Sequence, residues 1–167
     1  MPIMLRSFIL YSLKHAWEPQ DYRRLLDLSQ RFCSSFILVR RQNVNPQNDD
    51  VIRSLAPFLI EASPTRIWPG TCLIGKDSVQ MYKYYLADES IEILRHAAVS
   101  LWDWIGPQKP EDLSFLRPSG IPWFISISHE HDAFFKLCDG ERVFVETVFG
   151  KDSLVCGGED QRPQEAF

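Results

Sequence analysis

The chain has 167 residues, of which 45% are hydrophobic, 13% aromatic and 24% charged, and its formal net charge is −4. This composition excludes a wholly disordered chain, and the length suits a single globular domain. No apolar run approaches the length of a membrane-spanning helix, and this mildly acidic chain lacks the basic stripe of a nucleic-acid-binding protein. We therefore expect neither nucleic acid nor a membrane as a partner.

The four cysteines, Cys33, Cys72, Cys138 and Cys156, are far apart in the sequence and form no C-x-x-C pair. This spacing argues against a zinc ribbon and against a thioredoxin-like redox motif. The apolar stretch at residues 7–13 is shorter than the core of a secretory signal peptide, and no small-residue cleavage site follows it. We therefore expect a cytoplasmic protein whose thiols are reduced.

The first 50 residues predict two strands around one helix. Residues 7–13 and 35–40 are rich in β-forming side chains. Pro19 suits the first position of a helix, where its missing N–H costs nothing, and apolar residues follow at helical spacing. The polar residues 42–50 are turn formers and predict a loop.

The middle of the chain predicts several short elements and one long helix. The short elements are a helical turn at 51–55, a strand at 57–62, a tight turn at 68–71 and a strand at 80–85. Asp88 is a good N-cap, and an apolar stripe at helical spacing follows it as far as Ile105. We therefore predict an uninterrupted helix that Gly106 and Pro107 end.

Two hairpins are predicted after this helix. Residues 113–117 and 121–128 flank a turn that contains Pro, Ser and Gly. Residues 133–137 and 143–149 flank Asp139-Gly140, a dipeptide typical of tight hairpin turns.

These elements predict the fold class and the domain boundaries. Residues 1–149 form one α+β domain, a mainly antiparallel sheet with two or so helices packed on one face. From Gly150 the chain is polar and Gly-rich, so we expect residues 150–167 to be a frayed tail.

The register of the first hairpin follows from an even-length turn. It places Phe115 opposite Phe124 and Arg117 opposite Pro122. Strand alternation then creates one strongly apolar face, which we interpret as the core face, with Trp123, Ile125 and Ile127.

The same register brings Asp112 diagonal to His129, within side-chain reach. Two interpretations are open. The carboxylate orients and partly charges the imidazole at a functional site, or the pair is a structural hydrogen bond that closes the end of the hairpin.

Residues 128–132 are the densest cluster of reactive side chains. On a strand, His129 and His131 would point the same way, as two ligands of one metal do. They are the candidate ligands, but a third ligand is missing nearby, so we predict no metal site and no cofactor. Ser128 and His129 face opposite sides of a strand and cannot form a nucleophile–base pair.

Trp68 and Trp104 are the two tryptophans without an assigned packing role. Trp104 points away from the apolar stripe of its helix, so it either packs against a neighbouring strand or is an exposed anchor. Trp68, before a Pro-Gly turn, presents the same two possibilities. The candidate binding residues are Trp68, Trp104, Glu111, Asp112, His129 and Glu130.

Several motifs within about residues 65–135 resemble a group of small, largely uncharacterised bacterial proteins. They are Trp-Pro-Gly-Thr at 68–71, Tyr-Lys-Tyr-Tyr at 82–85, Leu-Trp-Asp-Trp at 101–104, Pro-Glu-Asp-Leu at 110–113, Gly-Ile-Pro-Trp-Phe at 120–124 and Ser-Ile-Ser-His-Glu at 126–130. Some similar small α+β proteins act as immunity proteins or toxin antagonists. The resemblance implies a bacterial cytoplasmic protein and favours binding over catalysis, and it carries over no catalytic residue.

We interpret the chain as a non-enzymatic module of the immunity-like or regulatory kind, whose partner is another protein. The alternative is a small hydrolase or metal-dependent enzyme that uses His129 with Asp112 and His131.

Overall fold

The structure is a computed structural model that describes residues 7–41, 45, 48–159 and 166–167. These residues contain four α-helices: α1 (Pro19–Phe32), α2 (Asp50–Leu55), α3 (Asp88–Ala97) and α4 (Asp139–Phe149). The strands are β1 (Ile9–Leu13), β2 (Ser35–Arg41), β3 (Leu59–Thr65), β4 (Ile67–Trp68), β5 (Thr71–Cys72), β6 (Val79–Tyr85), β7 (Glu111–Leu116), β8 (Pro122–Ile127), β9 (Asp132–Leu137) and β10 (Leu154–Glu159). Short 3₁₀ turns lie at Ala56–Phe58, Leu101–Asp103 and Ser128–Glu130.

Eight of these strands form one sheet in the order β10-β1-β9-β8-β7-β2-β6-β3, so β10 and β3 are its edges. Every neighbouring pair in it is antiparallel. Strands β4 and β5 form a separate small hairpin. The predicted α+β class with a mainly antiparallel sheet is confirmed, although four α-helices accompany the sheet rather than two. Among the described residues, no helix is long and apolar enough to cross a membrane.

One side of the sheet, which we call the main face, shares a single hydrophobic core with all four helices. The sheet contributes a row of buried rings: Phe36, Tyr84, Phe115, Phe124 and Phe135. The helices contribute Leu25 and Leu26 of α1, Leu55 of α2, Ile91 and Leu94 of α3, and Val145 and Phe149 of α4. Burial of these apolar and aromatic side chains is the dominant stabilising contribution to the fold.

The opposite side, the second face, has a smaller apolar cluster. It consists of Ile37, Val39, Val79, Met81 and Leu116, with Trp68 of the β4–β5 hairpin packed on it. Leu73 and the C-terminal Phe167 pack against the same cluster. Among the described residues, the β4–β5 hairpin, Leu73 and Phe167 cover this cluster.

The prediction of the core face was wrong. Trp123 belongs to the main core, whereas Ile125 and Ile127 lie under Gly70 of the β4–β5 hairpin on the second face. Phe115 does pair with Phe124, as predicted. A register shift follows, so the residue opposite Pro122 is Leu116 and not the predicted Arg117. This irregularity breaks the regular alternation on which the prediction depended.

The long helix predicted to end at Gly106 is interrupted. Helix α3 ends at Ala97, and Ala98 is extended. The Asp103 carboxylate then accepts the N–H groups of Val99 and Ser100, at 2.8 and 3.0 Å, and starts a separate 3₁₀ turn. The start is also shifted by one residue, because Asp88 is the first helical residue and the Ser90 hydroxyl accepts the N–H of Ala87.

The second predicted hairpin was wrong, because residues 143–149 belong to α4. The Glu141 carboxylate accepts the Cys138 N–H at 3.0 Å and caps this helix. Val145 and Phe149 are spaced four residues apart and reach the main core. Strand β9 pairs instead with β8 and β1.

The frayed tail predicted for residues 150–167 is contradicted by the described residues 150–159 and 166–167, and residues 160–165 lie outside the described residues. Strand β10 pairs with β1 and forms a sheet edge. Phe167 donates its N–H to the Gly120 carbonyl at 3.0 Å, and its ring packs on the second face. Glycines in this segment permit the bulge in β10, where Gly158 has a φ of +101°.

The remaining elements differ from prediction by a few residues at most. The loop predicted at 42–50 lies mostly outside the described residues and ends at Asp49, whose carboxylate accepts the N–H groups of Val51 and Ile52. The strand predicted at 57–62 begins at Leu59, after a 3₁₀ turn. The predictions of β1, α1, β2, β6 and the turn at Pro69-Gly70 are confirmed.

Candidate functional site

Asp112 is a buried carboxylate at the start of β7. Its Oδ2 atom accepts the Trp68 Nε1–H at 2.9 Å, and its Oδ1 atom accepts the backbone N–H of Ser128 at 2.8 Å. Its φ of +57° lies in the left-handed region, which Asp tolerates better than most residues. These two donors hold the carboxylate between the β4–β5 hairpin and the end of β8.

Trp68 reaches Asp112 because the β4–β5 hairpin lies directly on the second face. Gly70 in its turn has a φ of +83°, and a Cβ atom there would lie only 2.8 Å from Cγ2 of Ile125. Only glycine permits this approach. Trp68 is consequently 1% exposed. Of the two possibilities for Trp68, the exposed anchor is therefore excluded, since its ring is covered and its N–H binds Asp112.

Burial raises the pKa of the Asp112 carboxyl above its usual value, and the nearby Glu111 carboxylate adds to the rise. The Ser128 and Trp68 N–H groups and the His129 ring act in the opposite direction. Desolvation is the largest of these causes, because the charged form loses its hydration in the protein interior.

Glu111 precedes Asp112 and is also largely buried. Its Oε2 atom accepts the Nε–H of Arg41 at 3.1 Å. Its Oε1 atom lies 2.6 Å from where a Cβ atom on Gly106 would be, so a larger residue at Gly106 would displace the carboxylate. Glycine at 106 therefore makes room for Glu111.

His129 lies in the 3₁₀ turn that follows β8, with its side chain 43% exposed. One ligand-type atom from each of Glu111, Asp112 and His129 lies within 4.8 Å of the other two. The structure thus brings together Asp112 and His129, as predicted, although the hairpin register differs from the predicted one. Glu130, another candidate, is exposed at the rim, 3.6 Å from the His129 ring.

His131 is directed elsewhere, which corrects the expectation that it faces the same way as His129. Strand β8 ends at Ile127, and His131 has a left-handed backbone with a φ of +53°. Its ring contacts Trp102, with the ring centroids 5.1 Å apart. The hydrolase or metal site that combined His129, Asp112 and His131 therefore lacks one of its members.

His131 instead lines a cavity of about 280 Å³ that the sequence did not suggest. Trp17, Trp102 and His15 line it as well. The His15 ring is 2.8 Å from the fully buried carboxylate of Asp21. No sequence signal revealed this pair, because the two residues are six positions apart and a helix start lies between them.

Trp104 is fully buried, so of its two possible roles the exposed anchor is excluded. Its Nε1–H donates to the Tyr22 hydroxyl at 3.1 Å, and that hydroxyl donates to the Leu94 carbonyl at 2.8 Å. The break after α3 turns Trp104 towards the main core. Its alternative interpretation, packing inside the protein, is the correct one.

Exposed large apolar side chains occur in several elements, and three of them lie together at the β3 edge. Leu59 is 42% exposed and Ile60 is 40% exposed. Tyr85, at the adjoining end of β6, is 60% exposed. Every residue of β3 is at least partly exposed, whereas four of the seven β6 residues are buried. The sheet therefore extends at this edge beyond the layers that cover its centre.

We compared the chain with protein-family models, with curated proteins and with solved structures, and none of them matches it.

Proposed function

We propose that this chain is a non-enzymatic protein-binding module of the immunity-like or regulatory kind, and that its partner docks along β3. The observation that carries this proposal is the exposure of β3. This seven-residue strand forms one edge of the sheet, and no described strand pairs with its outer side. Unpaired strand edges favour association with another chain, and proteins without a partner usually protect them.

The apolar side chains of β3 support a protein as the partner. Leu59, Ile60 and Tyr85 are large, exposed and close together, because Leu59 pairs with Tyr84. Ile67, just beyond the other end of β3, is 44% exposed. Clustered exposed apolar residues are typical of protein interfaces, and a tyrosine among them is typical of binding hot spots.

A partner strand can extend the sheet here by pairing with the free backbone groups of β3. Pro64 has no N–H and interrupts such a ladder near the end of β3. The pairing therefore covers the first five residues of the strand, Leu59–Ser63, where the large apolar side chains lie.

We place this function in the reducing cytoplasm of a bacterium. All four cysteines are free thiols, and Cys72 and Cys156 are exposed. Exposed free thiols persist in a reducing compartment. The bacterial source is the one that the sequence resemblance favours.

The experiment compares capture of proteins from the native cell extract by the full chain, by an Ile60→Lys variant and by a Val143→Lys variant. Val143 lies on α4 and is 63% exposed, so it controls for a new surface lysine. Lysine on an edge strand opposes strand addition. We expect one protein to be retained stoichiometrically by the wild type and by Val143→Lys, and lost from Ile60→Lys. The absence of a retained protein, or equal retention by all three, contradicts the proposal.

A further inference from the structure

We propose that Glu111, Asp112 and His129 bind a divalent transition-metal ion of the Zn²⁺ type. The geometric basis is the spacing of their side chains, whose ligand-type atoms lie within 4.8 Å of one another. Among the described residues, this is the one group of three or more His, Cys, Asp or Glu side chains that comes so close. Small side-chain rotations bring such a group around a single ion.

The charges of the cluster also favour a cation. Glu111 and Asp112 are 7% and 0% exposed, so two carboxylates lie side by side away from solvent. Arg41 pairs with Glu111, and within the described part of the chain no lysine or arginine pairs with Asp112. Buried carboxylates are stabilised by pairing or by coordinating a metal, and a dication between these two would compensate both.

Two of the three side chains, Asp112 and Glu111, have hydrogen-bond partners outside the cluster. Trp68 and the Ser128 N–H bind Asp112, Arg41 binds Glu111, and Glu130 lies 3.6 Å from the His129 ring. Metal ligands characteristically have such outer partners, and a carboxylate beside a ligating histidine is a common arrangement. These contacts are an observation separate from the spacing of the three residues themselves.

The buried Ser128 hydroxyl lies next to this cluster in the chain. It has no hydrogen-bond partner, although Ser128 is 1% exposed. The backbone N–H of the same residue binds Asp112. A water molecule coordinated to a bound ion would give this hydroxyl a hydrogen-bond partner.

The donor set selects the kind of ion. One imidazole nitrogen and two carboxylate oxygens suit Zn²⁺ and its first-row neighbours, whereas Mg²⁺ and Ca²⁺ prefer oxygen donors alone. Three protein ligands with a half-exposed histidine leave a coordination position open to solvent. This differs from the expectation from the sequence, which paired His129 with His131 and predicted no metal.

The test is calorimetric titration of the full chain with ZnCl₂ at neutral pH, after treatment with a chelator. We expect one equivalent of Zn²⁺ to bind, and affinity to fall at least 100-fold in His129→Ala and in Glu111→Gln. His131→Ala is the matched control, because the same residue type is removed two positions away, and we expect its affinity to equal that of the wild type. Glu130→Gln, which changes only the outer partner, should lose about tenfold.

Absorption spectra of the Co²⁺-loaded chain separate this site from binding by the exposed Cys72 thiol. We expect ligand-field bands without a thiolate charge-transfer band. No binding, an equal loss in His131→Ala, or a thiolate band overturns the proposal. Equal affinity for Mg²⁺ also overturns it, because the histidine then contributes nothing. Circular dichroism of each variant shows whether a loss of binding comes from unfolding.

Discussion

The two faces of the eight-stranded sheet are both buried, but by different means. The main face packs its aromatic rings against four helices in one apolar core. The second face has a small apolar cluster, and beside it lie the carboxylates of Glu111 and Asp112 under a short hairpin. Stability therefore resides mostly on the main face, whereas the second face bears costly buried charge. Polar groups retained at such a cost are more typical of functional sites than of packing.

The largest effect is expected from the main face. Phe135 contacts the rings of Trp17, Trp123, Phe124 and Phe149. Phe135→Ala should lower the free energy of unfolding by about 3–5 kcal/mol, because it leaves a cavity among these rings. Urea denaturation measures the change.

The neighbouring ring supplies a control within the same strand. Phe134 is half-buried and lies on the other side of β9. Phe134→Ala should cost clearly less than Phe135→Ala. Equal losses would show that the two faces contribute alike to stability and would break the comparison.

On the second face, the Trp68 N–H is expected to contribute to stability. Trp68→Phe keeps an aromatic ring but removes one of the two donors to the buried Asp112 carboxylate. We expect a loss of about 1–3 kcal/mol. Trp104→Phe should cost less, because its partner Tyr22 still donates to the Leu94 carbonyl. The same denaturation experiment checks both variants, and the reverse order would contradict the assignment.

The pH dependence of stability tests the burial of Asp112. The pKa of Asp112 is raised in the folded chain. The contribution of the Asp112 carboxyl to the free energy of unfolding is therefore fully present below the pKa of an unfolded aspartate. That contribution is lost as pH rises through the raised value. Asp112→Asn removes one of the two acceptor oxygens, and it also removes the pH dependence because the amide does not titrate. The stability deficit of Asp112→Asn should therefore shrink as pH rises through this window, in denaturation series measured in chelator. A deficit that grows with pH would contradict a raised pKa.

The smallest effect is expected on the β3 edge. Ile60 is 40% exposed and is the extra residue at the register shift between β3 and β6. Ile60→Lys should change the free energy of unfolding by no more than about 0.5 kcal/mol. A larger loss would mean that Ile60 stabilises the free chain, and its exposure would then not indicate a docking surface.

The sequence predicted those parts of the fold that depend on local signals. Pro19 marked the start of α1, and β-forming runs marked β1, β2 and β6. The sequence could not predict the elements whose type or bounds depend on contacts formed in the folded chain. Asp103 interrupts the long helix by capping a new turn, and Glu141 caps a helix where Asp139-Gly140 suggested a hairpin.

For the candidate site, the sequence placed Asp112 near His129 and named Glu111 as a candidate binding residue, but it did not join Glu111 to that pair. A regular strand points adjacent residues to opposite faces. Asp112 has a left-handed backbone, which removes that alternation and lets both carboxylates approach His129. The burial of Trp68 and Trp104 also depended on partners distant in the chain, at Asp112 and Tyr22.

The central claim, that a partner protein docks along β3, is tested most directly by hydrogen–deuterium exchange of the chain with and without its captured partner. We predict that the β3 amides exchange quickly in the free chain and become protected in the complex. Amides of β10, at the opposite edge of the sheet, should exchange equally in both states. Protection confined to β10 or to the helices, with β3 unchanged, would contradict the claim.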